Sequence, residues 1–139
     1  MKINVIHLLV FVLSACNVEE NTPAQMIDDD FDITGASLLK EGIFMGVGGH
    51  SVSGTASIYE KGGKHYLLLD PYQSQNGPDL RVYLSRNESA TSFVSLGLLK
   101  ATTGKQSYAI PAGLNISEFS HVHIWCQQFS VEFGRAPLD

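Results

Sequence analysis

From residue 37 to the carboxyl end, short apolar runs are separated by glycine, proline and polar residues, and no amphipathic run of helical period exceeds a few residues. Apolar and polar positions alternate most clearly at residues 80–84 and 129–133. This period of two is typical of strands that bury one face. The pattern predicts an all-β fold, either an antiparallel β-sandwich or a closed β-barrel of about eight short strands.

The predicted strands are residues 38–45, 55–60, 65–70, 80–84, 93–99, 106–110, 122–126 and 129–133. The pair Gly62-Gly63 predicts a hairpin turn between the second and third strands. Residues 116–119 predict a single helical turn. In the last strand, the alternation assigns Phe129, Val131 and Phe133 to the dry face.

The amino-terminal residues form a second pattern. Lys2 precedes an apolar run over residues 5–13, which is too short to span a bilayer, and small residues follow it. The stretch Leu13-Ser14-Ala15-Cys16 resembles a bacterial lipobox, which implies that the thiol of Cys16 is acylated and becomes the mature amino terminus. Acyl chains such as palmitate would then hold the protein at a lipid bilayer. The alternative is an ordinary secretory signal that ends near a cysteine.

This motif divides the chain into a signal peptide (1–15), an acidic flexible tether (16–36) and one β domain (37–139). As a coil, the tether would let the domain float about 25 Å from its anchor. Asn17 after Cys16 favours the outer over the inner membrane by the enterobacterial sorting rule. Nine Lys and Arg against fourteen Asp and Glu give a net charge of −5, which argues against nucleic acid as a partner.

Cys126 is the second cysteine, and it has no intrachain partner if Cys16 is acylated. A lone thiol in an exported protein is either buried or used, because that compartment favours oxidation. Strand alternation places Val122, Ile124 and Cys126 on one face, which favours a buried structural cysteine. The alternative is a thiol at the rim of a pocket that acts as a redox group or ligates a prosthetic group.

The whole region from about residue 39 onward is similar to the DM-thirteen domain. The motifs that carry the similarity are the Gly77-Pro78-Asp79-Leu80 turn and strand, residues 97–100, residues 104–111, and the Val122-His123-Ile124-Trp125-Cys126 strand with residues 129–138. The resemblance implies an extracellular all-β module with a proposed electron-transfer role, found alone in bacterial lipoproteins. The family's characteristic cysteine corresponds to Cys126.

The resemblance implies that Cys126 acts either as a naked redox thiol or as the attachment point of a group such as haem. The expected partners are a lipid bilayer, through Cys16, and a redox protein in the cell envelope. The alternative function is a ligand-binding or protein-binding β module in which Cys126 is structural. We expect no enzyme beyond a redox accessory role.

Two further residues are candidates for binding a ligand or cofactor. His50 follows a glycine-rich turn and resembles a histidine often seen early in the family. Asp79 has a structural role available in its turn, and a substrate-binding role beside Asp70 and Arg81 is the alternative. The pair His121 and His123 lacks an evident third ligand, so no metal site is predicted. The acidic run at residues 28–32 lacks the spaced ligands of a calcium loop. No hydrolase constellation is evident.

Overall fold

A computed structural model describes residues 22–139 of the chain. The predicted signal peptide and Cys16 lie outside the described residues. The described residues form nine strands and one 3-10 turn, Ile116–Glu118. The strands are β1 (Ser37–Ile43), β2 (Met45–Gly46), β3 (Val52–Lys61), β4 (Lys64–Ser74), β5 (Leu80–Ser85), β6 (Phe93–Leu98), β7 (Gln106–Ala109), β8 (His121–Cys126) and β9 (Val131–Pro137).

The strands form two antiparallel sheets. One has four strands in the order β1-β3-β4-β7, and the other has five in the order β2-β9-β8-β5-β6. The sheets are not closed into a barrel. The predicted all-β class is therefore confirmed, and of the two predicted architectures the structure is the sandwich.

The core lies between the two sheets and is built from the inward side chains that strand alternation selects. The four-stranded sheet contributes fully buried residues from β3 and β4, and the five-stranded sheet contributes them from β5 and β8. The largest of these buried apolar side chains on the strands are Ile58, Leu67, Leu69, Leu80, Val82, Leu84, Val122 and Ile124. Most of the strand faces that the alternation of apolar and polar residues assigned to the core are thus buried.

The predicted local turns are also present. Gly62 and Gly63 have φ angles of 59° and 75°, and they close the hairpin at the pair Lys61 and Lys64. These left-handed angles favour glycine because they are strained for a residue with a Cβ atom. The helical turn starts after Asn115, whose side chain accepts a hydrogen bond from the backbone N–H of Ser117.

The prediction for the last strand was wrong at its start. Phe129 is 62% exposed and Val131 is 38% exposed, whereas Phe133 is buried. Residues 127–130 form the turn between β8 and β9, with Ser130 at a φ of 52°. The strand therefore begins at Val131, and the apolar alternation in the sequence continued across residues that the turn uses.

The described part of the predicted tether contacts the domain. We call residues 22–31 the strap. Its Ala24 N–H donates to the Lys100 carbonyl (2.9 Å), and the Ala24 carbonyl accepts from the Thr102 N–H (2.9 Å). Further along, the Ile27 N–H donates to the Thr103 carbonyl (3.1 Å). The strap thus runs beside the loop that leads into β7.

Asp29 fixes the far end of the strap to β7. Its Oδ2 accepts from the Ser107 backbone N–H (3.0 Å) and hydroxyl (2.7 Å). Burial raises the pKa of the Asp29 carboxyl, but the hydrogen bonds from Ser107 and from the Phe31 backbone N–H outweigh it, so the pKa lies below its usual value. Phe31 then packs on Tyr66, with ring centroids 5.0 Å apart. In the acidic run, Asp29 accepts a hydrogen bond from the Phe31 backbone N–H and Asp32 accepts one from the Thr34 backbone N–H. Residues 22–139 hold no cluster of three or more His, Cys, Asp or Glu side chains that could hold a metal ion.

Candidate functional site

Cys126 is the last residue of β8, which lies between β9 and β5 in the five-stranded sheet. Its side chain points into the core and has no exposed surface. The thiol donates a hydrogen bond to the Pro78 carbonyl oxygen, with Sγ and O 3.0 Å apart. Cys126 therefore lies in the core, and its thiol is bonded to a neighbouring loop.

That loop connects β4 to β5 and consists of residues 75–79, which we call the cover loop. Pro78 itself is exposed, so the buried thiol is bonded to a residue at the protein surface. The cover loop is tied to the end of β8, because the Asp79 carbonyl accepts from the Gln127 backbone N–H (3.0 Å). Its conformation is defined at Asp79, whose φ of 56° is unusual for a residue other than glycine.

The Asp79 side chain is engaged within the protein. Its Oδ1 accepts a hydrogen bond from Arg81 Nε at 2.8 Å, and both side chains are partly buried. Asp70 does not join them, because it lies on β4 and lines a different depression with Pro71 and Lys105. The pairing with Arg81 and the turn conformation give Asp79 a structural role in positioning the cover loop.

His50 also contacts the cover loop. Its Nδ1 lies 3.0 Å from Gln75 Nε2, and its ring stacks on Phe133 with centroids 3.9 Å apart. Gly77 lies against the same Phe133 ring, where a Cβ atom would come within 2.8 Å of Cζ. The three candidates from sequence therefore meet at one loop, His50 through Gln75, Cys126 through Pro78, and Asp79 as its last residue.

The fit of a haem to this site depends on the surroundings of the sulfur. A thiolate ligand needs open volume at Sγ and a sulfur that has lost its proton. Cys126 has neither, because its side chain is fully buried and its S–H is donated to Pro78. Cys126 does not line the depressions around Pro71, His65 or Pro78. The residues around Cys126 therefore do not fit a haem.

These geometries can be compared with known families. A family model described as electron transfer DM13 matches residues 45–138, which include His50, the cover loop and Cys126. The chain belongs to the DM13 family. No curated protein and no solved structure matched the chain. Leu80 of β5 pairs with Cys126 of β8 in this DM13 domain. Both residues lie inside the matched region.

A second polar cluster lies on the outer face of the five-stranded sheet of this DM13 domain. His123, fully buried, has its Nδ1 2.6 Å from Glu132 Oε1 and its Nε2 2.6 Å from Ser85 Oγ. The other Glu132 oxygen accepts from Arg135 Nη2 at 3.0 Å. Ser85 is buried as well. The cluster has the residue types and contacts of a hydrolytic triad.

The burial of the cluster argues against that chemistry. Ser85 and His123 have no exposed surface, so a substrate does not reach the Ser85 hydroxyl in this structure. The hydroxyl also lies 2.6 Å from the Asn87 carbonyl oxygen, which competes with His123 Nε2 for its one hydrogen. The cluster instead joins β5, β8 and β9 beneath the loop that holds Asn87.

Three of the four ring nitrogens of His121 and His123 contact groups of the protein. Their rings stack with centroids 5.8 Å apart, both ring nitrogens of His123 are used within the protein, and His121 Nδ1 lies 2.7 Å from Ser120 Oγ. Burial lowers the pKa of His121, and the neighbouring His123 lowers it further.

In residues 22–139 no helix is long and apolar enough to cross a membrane.

Sequence reasoning missed the partners of these residues. Gln75 and the Pro78 carbonyl carry no sequence signal, because any residue supplies a backbone carbonyl and a loop glutamine is common. The contact between His123 and Glu132 had a signal, since both residues occupy outward positions on consecutive strands. Ser85 was less accessible to prediction, because its position beneath Asn87 depends on the path of a loop.

Proposed function

We propose that the chain is an electron-transfer module anchored by acylated Cys16 outside the cytoplasm, with Cys126 as its redox group. Membership of the electron transfer DM13 family supports a role of this kind. The observation that carries the assignment to Cys126 is the cover loop, where an exposed residue, Pro78, accepts the hydrogen bond of the thiol. A small movement of this loop would open the thiol to a partner.

The redox step that we propose is exchange with a disulfide of a partner protein. Opening of the cover loop breaks the bond to Pro78 and lets Cys126 lose its proton to solvent. The thiolate then attacks one sulfur of the partner disulfide, forms a new S–S bond and expels the second sulfur as a thiolate. The expelled sulfur takes the electron pair of the broken bond and a proton from solvent, so Cys126 is oxidised and the partner sulfur is reduced.

The test is reaction of the folded, lipidated protein with a small aromatic disulfide, followed by intact-mass analysis. We expect one mixed disulfide at Cys126, formed at a rate below that of a free thiol because loop opening precedes exchange. Cys126→Ser should show no adduct, and Cys126→Ala serves as the control that keeps an apolar side chain in the core. No adduct on the folded wild type would overturn the redox assignment.

A second function is favoured by the complete burial of Cys126 and its satisfied S–H. Under this alternative the domain binds a ligand or protein, and Cys126 is a core residue. Its thiol would then react only as fast as the whole domain unfolds. Measuring the reaction rate against denaturant separates the two, since loop opening exposes little surface and gives a shallow dependence, whereas global unfolding gives a steep one.

The anchor has its own test. The lipobox resemblance predicts acyl mass on Cys16 and flotation of the protein with membranes, and Asn17 favours the outer membrane. Cys16→Ser should leave the protein soluble after cell fractionation, whereas Cys126→Ser should float like the wild type. Wild-type protein without acyl mass would overturn the lipid anchor and leave an exported protein with a cleaved signal.

A further inference from the structure

One end of the strap lies beside the cover loop. Thr22, the first described residue, lines a shallow depression of about 330 Å³ together with Asn76, Gly77 and Pro78. Two residues later, Ala24 is held by the Lys100 carbonyl and the Thr102 N–H. The strap therefore enters the domain at the loop that covers Cys126.

The distance from this point to the proposed anchor is short. Five residues lie between Cys16 and Thr22, and the six Cα–Cα steps that join them span no more than about 22 Å even when fully extended. The sequence predicted a longer reach, because it assigned the whole of residues 16–36 to a flexible tether. Residues 24–29 are hydrogen-bonded along the loop before β7. They therefore do not add to the distance that the linker can span.

We infer that the cover-loop end of the domain faces the bilayer that holds its own acyl chains, with the lipid headgroup surface as the occupant of this face. This inference rests on the proposed lipid anchor at Cys16. Residues 76–78 carry no charge, and Asp79 next to them is paired with Arg81, so the loop can approach an anionic headgroup layer without an unpaired carboxylate.

The opposite end of the domain then points away from the membrane. β4 runs from Lys64, beside the Gly62-Gly63 turn, to Ser74, beside the cover loop. At about 3.3 Å per residue, the two ends of this strand are separated by about 33 Å. A redox partner that reaches Cys126 through the cover loop would accordingly be one at or in the membrane surface.

The test uses the full lipidated protein in liposomes that contain a headgroup-labelled quencher lipid. A fluorophore is attached through Asn76→Cys or, as the matched control at the far end of β4, through Lys64→Cys, both in a Cys126→Ala background. We expect the label at residue 76 to lose most of its emission and the label at residue 64 to keep it. Equal quenching of the two labels in protein that floats with the liposomes would overturn the orientation.

A spacer variant shows whether the short linker causes the orientation. Ten glycine and serine residues inserted between Asn21 and Thr22 add up to about 35 Å of reach. Quenching at residue 76 should then fall while flotation is unchanged, and unchanged quenching would overturn the proposed cause. Protein that does not float would instead contradict the anchor at Cys16. The disulfide-exchange test, made on protein with Cys126 intact, reports separately on the redox role.

Discussion

The imidazole of His50 stacks almost parallel on the ring of Phe133, with 9° between the ring planes and centroids 3.9 Å apart. This contact joins the turn after β2 to β9, and the same Phe133 ring supports Gly77 of the cover loop. The ring face of His50 packs on Phe133, and its Nδ1 contacts Gln75. A metal ligand would instead present that nitrogen to the ion. His50 is therefore best understood as a support for the cover loop.

This arrangement predicts the effect of Gly77→Ala. The added Cβ would come within 2.8 Å of Phe133 Cζ, so the cover loop must shift and the bond from Cys126 to Pro78 weakens. We expect the folded thiol to react about tenfold faster with a small disulfide, which corresponds to about 1.4 kcal/mol in the free energy of loop opening.

The control for this variant is Gly63→Ala. Gly63 has space for a Cβ but a φ of 75°, so the substitution costs about 1–2 kcal/mol in backbone strain at the far end of the sandwich. If both variants accelerate labelling in proportion to their loss of global stability, the cover loop has no special role in exposing Cys126.

The strap predicts a pH-dependent stability. Asp29→Asn removes the charge that accepts two hydrogen bonds from Ser107, and we expect it to lower the free energy of unfolding by about 1–2 kcal/mol at neutral pH. The folded pKa of Asp29 lies below its ordinary value of 3.8. Its stabilisation is therefore present above that value and lost as the pH falls through the lower folded pKa. Denaturant unfolding at pH 7 and pH 3 measures both effects.

The exposed neighbour Asp30 provides the comparison for Asp29. Asp30→Asn changes the net charge by the same amount but removes no hydrogen bond of the strap, so its effect should stay within about 0.5 kcal/mol. Equal effects of the two variants would mean that Asp29 acts only through net charge and that its contacts with Ser107 contribute little.

The buried cluster around His123 predicts a larger loss of stability. Glu132→Gln replaces the carboxylate that contacts His123 and Arg135, and it should destabilise the domain by about 1–3 kcal/mol in denaturant unfolding. Glu118→Gln is the matched control, because Glu118 pairs with Arg86 in an exposed ion pair that is worth about 0–1 kcal/mol. Similar losses of unfolding free energy in the two variants would show that the buried contacts of Glu132 stabilise the domain no more than an exposed ion pair does.

His121 predicts that stability also depends on pH in a second range, above the acidic range of Asp29. Its folded pKa lies below the ordinary value of 6.5, chiefly because of burial. The unfolded chain therefore binds more protons just below pH 6.5, and stability falls as the pH drops through this window. His121→Gln should reduce this slope between pH 6.5 and pH 5 and leave stability at pH 8 little changed. An identical slope in the variant and the wild type would contradict the role of His121.

The parts of the fold that the sequence predicted are those with local causes. Alternation in β5 follows from one buried and one outer face, and the Gly62-Gly63 turn follows from the conformations that glycine allows. Phe129 was misassigned because the turn before β9 interrupts a pattern that continues in the sequence. The strap was not predicted, because its partner at residues 100–107 is mostly loop and its contacts are backbone hydrogen bonds that carry no side-chain signal.

The candidate site was predicted residue by residue but not as a unit. His50, Asp79 and Cys126 were each identified in the sequence, yet their convergence depends on the cover loop, which passes from one sheet to the other. Such contacts between sheets are set by topology and not by spacing along the chain. In the structure, His50 and Asp79 contact or form part of the cover loop and Cys126 is bonded to it, and their ligand-binding and redox roles stay predictions.

The residues that precede the family match give the four-stranded sheet its outer boundaries. β1 pairs along β3 and the strap bonds to the start of β7, whereas the matched region begins at residue 45. A domain cut at that residue would lose β1 from the edge of β3 and the Asp29 contact from Ser107 of β7, and newly bared backbone groups pair readily with strands of other molecules. We therefore expect a domain cut at residue 45 to self-associate more than residues 22–139 do.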